Sequence, residues 1–559
     1  MKSRQTVLQN ISGKAFDLCI IGGGAVGAAC AVDARLRGLN VALIEAGDFG
    51  GATSSSATKI IHGGVRYLEQ ALKDFDPKEY HVVVRALRER VRMLDNAPHL
   101  TQKLEFLVPS YSWLNVAYID IGLKIYDWLA GSARISPSKF VNREETLRRM
   151  PGLKRDGLIG SVEYCDGQFD DARYNLALVE TFDRNGGLAL NHARVTSLSF
   201  DSTGKLSTAQ VADQLSKQSF SIDATVFVNA TGPAADSVRR MAAPAIPRRL
   251  RLSKGAHVVL PMQVFPTEQA MLIPKTDDGR VLFAVPWRGR LLVGTTETEV
   301  QPGDELYVTH EDVEFILGQL NNYLATPVTS DQIVAGFAGA RPLVSTDEFE
   351  STKKIARDDV IEIEPASGLI SIMGGKWTTH RAMAEDTIDV VEKSLGRVSG
   401  SCPTRHHVLY GSEGWTIGHW QELVSTYNVA GDLARRLSLK FGTAANNILS
   451  LVKQDESLGQ RIISEHPIIR AEVVYVIREE LAMTIEDVLA RRLGVQFYTW
   501  RGAREAAAAV GAILGAELGW DHEQTQSSVN AYVSYINRLL DLAGLPRETS
   551  GPASAKPAL

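Results

Sequence analysis

Three glycines carry the first recognisable chemistry of this chain: Gly22-x-Gly24-x-x-Gly27, set behind the apolar run Leu18-Cys19-Ile20-Ile21. A buried strand ending in such a motif can turn tightly at the first glycine. Backbone N–H groups can approach a pyrophosphate at the second, and a helix packs close at the third. Ala25, Ala28, Ala29 and Ala31 suit that close-packed helix, Gly38 ends it, and Val41-Ala42-Leu43-Ile44 reads as the next strand. It closes on Glu45, a carboxylate that can accept hydrogen bonds from both ribose hydroxyls of an adenosine and would repel a 2′-phosphate. A glycine-rich turn in an ordinary βαβ unit would leave Glu45 unexplained, so Phe16 to Glu45 reads as a dinucleotide site.

Further residues can reach the same ligand. The run from Gly50 to Lys59 holds Thr53, Ser54 and Ser55 and leads on to His62. Its composition fits a flexible linker. Its place after the ribose-binding strand instead makes its hydroxyls and amides partners for pyrophosphate and ring heteroatoms. A later strand reaches Arg194-Val195, and Ile222 to Asn229 runs into Ala230-Thr231-Gly232-Pro233. Gly368 to Met373 delivers Gly374-Gly375-Lys376-Trp377-Thr378-Thr379 to a helix start. Such an N-terminus offers free N–H donors and a positive dipole end to an anionic reduced flavin; Thr378 or Thr379 can cap the helix with or without one. An N-terminal fingerprint with later segments returning to the same sheet points to FAD rather than NAD. The candidate cofactor residues are Gly22, Gly24, Gly27, Glu45, Thr53, Ser54, Ser55, His62, Val195, Gly232, Gly375, Lys376 and Thr378.

Arg66, Tyr67, His257, Arg341 and Lys376 complete the set. Three are cations, so an anionic substrate is expected; arginine offers a fork of donors, lysine a point charge. Most arginines of the chain are surface residues on this reading, but Arg66, Arg341 and Lys376 each follow a small-residue strand end or loop. His257 is the candidate base, since a histidine titrates near working pH and can take a hydroxyl proton while a hydride leaves carbon. A structural histidine in a strand is the alternative.

These residues need elements to hold them. A chain of 559 residues exceeds one typical core, so two or three domains are expected. The composition is that of a globular protein, 22% charged and 44% apolar, and a net charge of −5 gives no sign of nucleic-acid binding. Four scattered cysteines have no metal spacing and suit a reducing compartment. The first 15 residues lack the apolar core of a secretory signal, and no segment reaches the roughly 20 apolar residues of a membrane span. Membrane contact, if present, is then peripheral. Residues 78–97 read as a solvated amphipathic helix covering the sheet. The aromatic stretch 111–129 is either a buried or half-buried helix or an interfacial surface patch. Residues 175–195 read as helix, stop and strand; from Arg248 short turns between strands indicate an antiparallel sheet. Residues 310–324 are helical, and Ile333 to Phe337 is a strand delivering Arg341. From 412 to about 543, after a linker at 399–412, the pattern is helical without a catalytic constellation, and the tail reads as disordered.

Taken together the motifs resemble the FAD-dependent glycerol-3-phosphate dehydrogenases, quinone-linked flavoenzymes of the glucose-oxidase/D-amino-acid-oxidase group. The matching pieces include Ser54-Ser55-Ser56, His62-Gly63-Gly64-Val65-Arg66-Tyr67-Leu68, Lys254-Gly255-Ala256-His257, Gly339-Ala340-Arg341-Pro342-Leu343 and Gly374-Gly375-Lys376-Trp377-Thr378-Thr379. The resemblance spans about residues 14 to 540. It implies an α/β fold: a Rossmann-like FAD-binding domain, an antiparallel-sheet substrate domain and a C-terminal all-helical cap. The expected boundaries are an arm at 1–15, the interleaved FAD and substrate domains at 16–398 (substrate part mainly 100–165 and 245–345), the cap at 399–543 and a tail at 544–559. The implied activity is oxidation of sn-glycerol 3-phosphate to dihydroxyacetone phosphate, with electrons passing from FAD to ubiquinone or menaquinone. By motif, Arg66, Tyr67 and Lys376 grip substrate, while His257 and Arg341 lie near the reacting C2 hydroxyl, His257 favoured as base. Calcium-binding loops of the mitochondrial enzyme are not seen, which favours a bacterial-type protein on the cytoplasmic face of a membrane, with a homodimer allowed. The same dehydrogenation site serves oxidases that reduce oxygen, and a catalytically silent flavoprotein sensor is the alternative outside enzymes.

Overall fold

Strands that are apolar on both faces need cover on both faces, and the first sheet has it. The computed structural model describes residues 1–64, 77–345, 359–398 and 400–548. In it Ala15–Ile21 is a central strand, parallel to Val41–Ile44 on one side and Ser219–Asn229 on the other. Leu188–Leu190 and Ile370–Gly374 extend the parallel set outward, and Asp359–Ile363 closes one edge antiparallel. Helices Ala25–Leu36, Asp171–Arg184 and His380–Ser394 pack on one face. The hairpin of Ala193–Phe200 with Leu206–Asp213 and the helix Arg4–Ile11 cover the other. A Cβ at Gly27 would stand 1.9 Å from the Gly22 carbonyl oxygen, so only glycine lets the first helix cross its strand this closely.

The second sheet is organised on Leu250–Pro261, antiparallel to both Arg290–Gly294 and Ala335–Val344. Leu282–Trp287 folds back on Arg290–Gly294 through the turn at Arg288 and Gly289. The expected antiparallel sheet is therefore present, joined by Thr101–Ser110 and Gly160–Phe169 and made mixed by one parallel pair, Ala270–Ile273 with Thr101–Ser110. One expectation is corrected here. The strand expected at 333–337 runs on to Val344, because every residue from Ala335 has a partner on Leu250–Pro261. Arg341 therefore lies inside a strand, not beyond its end.

From His419 to Leu542 the chain is helical, and its apolar core is continuous with that of the second sheet. Trp500, 1% exposed, sits at the junction and donates its backbone N–H to the Val334 carbonyl at 2.9 Å. Packing persists through Leu545, which is 5% exposed.

Two helices differ from expectation. Pro77–Asn96 is not a solvated cover: Glu89 and Arg90 are each 1% exposed. Arg90 pairs with Asp166 and donates to the Ala133 carbonyl, while Glu89 accepts two bonds from Arg381. A charge pattern on one helix cannot show that its partners lie on other elements. Conversely Trp113–Ala130 turns its apolar residues outward. Trp113, Leu114, Tyr118, Ile121 and Trp128 are 58–82% exposed, whereas Val116, Leu123 and Tyr126 face the core. The helix at 111–129 is therefore half-buried, with the surface patch on its outward side; only the fully buried reading fails.

Candidate active site

A cavity of about 680 Å³ opens where the parallel strands end, at the N-terminus of Ala25–Leu36. Its walls include Gly22, Gly24, Glu45, Thr53, Ser54, Val195, Gly232, Gly375 and Lys376. Gly22 has φ +110°, a conformation that favours glycine, and a Cβ there would lie 2.6 Å from the Ala230 carbonyl oxygen. Gly24 occupies the N-cap position and so leaves the first helical turn open to the cavity, with Ser54 Oγ accepting from the Ala25 N–H at 2.9 Å. The Glu45 carboxylate is fixed from both sides, accepting from the N–H groups of Gly23 and Gly47 at 2.7 Å each. Burial raises its pKa and these two bonds oppose the rise. An open helix N-terminus, a side-chain-free turn and a fixed carboxylate in one cavity fit a dinucleotide.

Four residues expected to touch cofactor are not among the cavity's walls. Gly27 lies behind Gly22. Ser55, 2% exposed, gives its carbonyl to Lys59. Thr378 Oγ1 accepts from the His62 N–H at 3.3 Å, so these two brace each other across the sheet edge. Thr379 stands at the N-cap position of the helix His380–Ser394 but makes no side-chain capping bond; a single tight turn at Trp377–Thr379 precedes the helix, with Thr379 Oγ1 donating to the Lys376 carbonyl. Gly374 and Gly375 both take positive φ, +76° and +80°, and deliver Lys376 to the cavity. Trp377 then donates its indole N–H to the Ser54 carbonyl at 2.8 Å.

His257 and Arg341 come together through register. On facing antiparallel strands Ser253 pairs with Arg341, Gly255 with Gly339 and His257 with Phe337, so all six project from one face of the sheet. The two glycines hollow that face. A Cβ at Gly255 would stand 2.4 Å from Arg341 Nη2, so the guanidinium lies across Gly255 towards His257; it donates to Thr295 Oγ1 at 2.5 Å and the Thr296 carbonyl at 3.3 Å. A Cβ at Gly339 would strike Ser56, which lets the 53–58 segment lie on the strand. Thr53 Oγ1 bonds the Ala340 carbonyl at 2.5 Å, and Thr58 Oγ1 lies 3.0 Å from His257 Nε2. The imidazole is 2% exposed and stacks on Phe337 at 4.8 Å. Burial, then the charges of Arg341 and Lys59, hold its pKa well below the usual histidine value, so the ring is neutral at neutral pH. Neither His257 nor Arg341 lines the cavity, but Pro342, next to Arg341, does. Arg66 and Tyr67 lie outside the described residues.

Sequence reading missed two contributions. Lys59 is wholly buried at φ +64°, donates to Asp171 Oδ1 at 2.5 Å, and lies over the rings of Phe337 and Phe497 at 4.8 Å. A lysine ending a hydroxyl-rich run was the only signal. The helical unit also reaches the cavity: Thr484, Glu486, Asp487 and Arg491 form part of its wall beside Asp48 and His192. Asp48, His192 and Asp487 place ligand-type atoms within 4.8 Å of one another. Arg491 and Arg492 take up the Asp48 carboxylate, however, and two guanidiniums oppose a cation there.

The fold and the cavity define a flavin-dependent oxidoreductase, and the family comparison agrees: residues 17–388 match the FAD dependent oxidoreductase family, and 402–525 match the C-terminal domain of alpha-glycerophosphate oxidase. The chain is 39% identical to a probable mitochondrial glycerol-3-phosphate dehydrogenase of Caenorhabditis elegans, over 96% of this chain and 75% of that one. It is 38% identical to the mitochondrial glycerol-3-phosphate dehydrogenase of Homo sapiens, over 95% of this chain and 74% of that one. Among solved structures, the glycerol-3-phosphate dehydrogenase from Bacillus halodurans complexed with FAD superposes with a TM-score of 0.78 at 28% identity, covering 99% of both chains. The chain belongs to the FAD-dependent glycerol-3-phosphate dehydrogenase family, and its cofactor is FAD.

Proposed function

We propose that this chain oxidises sn-glycerol 3-phosphate to dihydroxyacetone phosphate and that a membrane quinone then takes the electrons. The observation that carries the reading is the juxtaposition of a neutral buried imidazole and a guanidinium on one sheet face, against the segment that walls the FAD cavity. When bound, the flavin supplies the acceptor for the hydride leaving C2. His257 takes the C2 hydroxyl proton at Nε2, the nitrogen facing Thr58, and its lowered pKa keeps it able to do so throughout the neutral range. Arg341 orients the substrate and stabilises the negative charge that grows on O2 as the proton leaves. Lys376, delivered from the first sheet, holds the phosphate with Arg66 and Tyr67, which the motif assigns to the same task. Glu45, Thr53, Ser54 and the glycine turn position the cofactor.

Support for a membrane acceptor comes from the helix Trp113–Ala130. Its outward Trp113, Leu114, Tyr118, Ile121 and Trp128 suit the boundary between headgroups and acyl chains, and among the described residues no helix is long and apolar enough to cross a membrane. We assign the protein to peripheral attachment at the inner face of the cell membrane. Oxygen is the second reading for the acceptor, favoured by the match of 402–525 to a glycerophosphate oxidase domain. In anaerobic titration the yellow flavin should bleach with glycerol 3-phosphate and not with glycerol; a flavin that stays oxidised with the phosphate ester refutes the substrate. Reoxidation by a quinone analogue, compared with peroxide release in air, separates the two acceptors.

A further inference from the structure

The chain between Met483 and Arg492 belongs to the C-terminal helical unit, yet it touches the fingerprint end of the cofactor cavity. Thr484, Glu486, Asp487 and Arg491 share that wall with Glu45. Their attachment is ionic and buried. Asp48 accepts from Arg491 Nε at 2.5 Å, from Arg492 at 2.6 and 2.9 Å, and from Asn191 Nδ2 at 3.0 Å. Asp487 receives His192 Nε2 at 2.8 Å, Arg491 Nη2 at 2.7 Å, and the N–H groups of Met483 and Thr484 at 2.9 and 3.1 Å. Asp487–Arg492 is a single wide π-helical turn, a local irregularity frequent at functional sites. It brings the adjacent Arg491 and Arg492 onto one carboxylate.

The connection to the cofactor runs through one short loop. Asp48 stands next to Gly47, whose N–H fixes Glu45 Oε1, and the Gly47 carbonyl accepts from the His192 N–H at 2.6 Å. Gly50 in turn donates to the Gly23 carbonyl inside the fingerprint. Releasing Asp48 and His192 from the helical unit therefore loosens the loop that aims the Glu45 carboxylate.

We propose that residues 483–492 latch the Glu45 end of the FAD cavity, so that docking of the helical unit and retention of FAD form one coupled equilibrium. The inference rests on the cofactor cavity and is independent of which substrate or acceptor the enzyme uses. Coupling of this kind is reciprocal: docking slows FAD loss, and bound FAD holds the unit down. The test has two arms on the full chain. In hydrogen exchange, the Met483 and Thr484 amides should exchange several-fold more slowly in FAD-saturated than in FAD-depleted enzyme; equal exchange overturns the proposal. In the second arm, flavin release is followed by the rise of flavin fluorescence on dilution of the holoenzyme. Asp487→Asn should speed it by roughly five- to a hundredfold, and the milder Glu486→Gln, which alters a partly exposed partner of Arg491, should speed it less. Variants that melt at lower temperature but keep wild-type flavin release would show that the contacts are merely structural, and would also overturn the proposal.

Discussion

The Glu45 end of the cofactor cavity and the His257–Arg341 cluster next to it are built on opposite electrostatic plans. At the Glu45 end, carboxylates sit buried and answered: Asp48 by two arginines, Asp487 by Arg491 and His192. At the His257 end the ring is neutral, stacked on Phe337, with Arg341 and Lys59 near enough to hold its pKa down. The first plan suits permanent retention, because opening it would leave charges without partners in a dry interior. The second suits turnover, since nearby cations favour a phosphate ester and a neutral base can accept a proton without first losing one. Residues suited to holding the cofactor and residues suited to reacting with substrate thus sit in adjoining but separate parts of the fold.

Breaking the retentive end should cost most. Asp48→Ala strands Arg491 and Arg492 in the interior, and we expect about 3–5 kcal/mol less stability in denaturant unfolding; a loss under about 1 kcal/mol, the scale of a surface pair, would show the network is not buried as described. At the reactive end Gly255→Ala puts a Cβ where Arg341 Nη2 now lies. Displacing the guanidinium by about 1 Å should lower kcat/KM by roughly 10²-fold while FAD content stays unchanged. Unchanged kcat/KM would mean the arginine does not work from this position.

How much of this contrast could be read beforehand follows from the range of the forces involved. The glycine turn and Glu45 are constrained by neighbours within one βαβ unit, so spacing alone exposes them. His257 and Arg341 meet only through the register pairing Ser253 with Arg341, which no local pattern specifies. The latch was illegible for a similar reason: the helical stretch from Glu480 to Arg492 matches a family motif, but nothing in it shows that Arg491 and Arg492 fold onto Asp48, far away in the chain. For Trp113–Ala130 the difficulty was different, because a helix apolar on most of its circumference does not reveal which side meets protein.

The pH dependence sharpens the comparison further. Because burial and cations lower the His257 pKa, kcat/KM should stay flat from neutral pH down past the ordinary histidine range. It should fall only at more acid pH, as the ring gains a proton, about tenfold per unit. A drop centred at the usual histidine pKa would place the base elsewhere. The smallest effect is expected at the surface: Trp128→Glu should weaken co-sedimentation with anionic phospholipid vesicles by roughly tenfold without altering flavin reduction in detergent solution. Vesicle binding equal to wild type would remove this helix from the membrane face.

The most direct test of the central claim is the stopped-flow rate of anaerobic flavin reduction by glycerol 3-phosphate in His257→Ala, with bound FAD measured on the same sample. Full FAD occupancy with reduction slowed by roughly 10²–10⁴-fold is the predicted result. Reduction at the wild-type rate, or a slowing that only mirrors lost FAD, would contradict it.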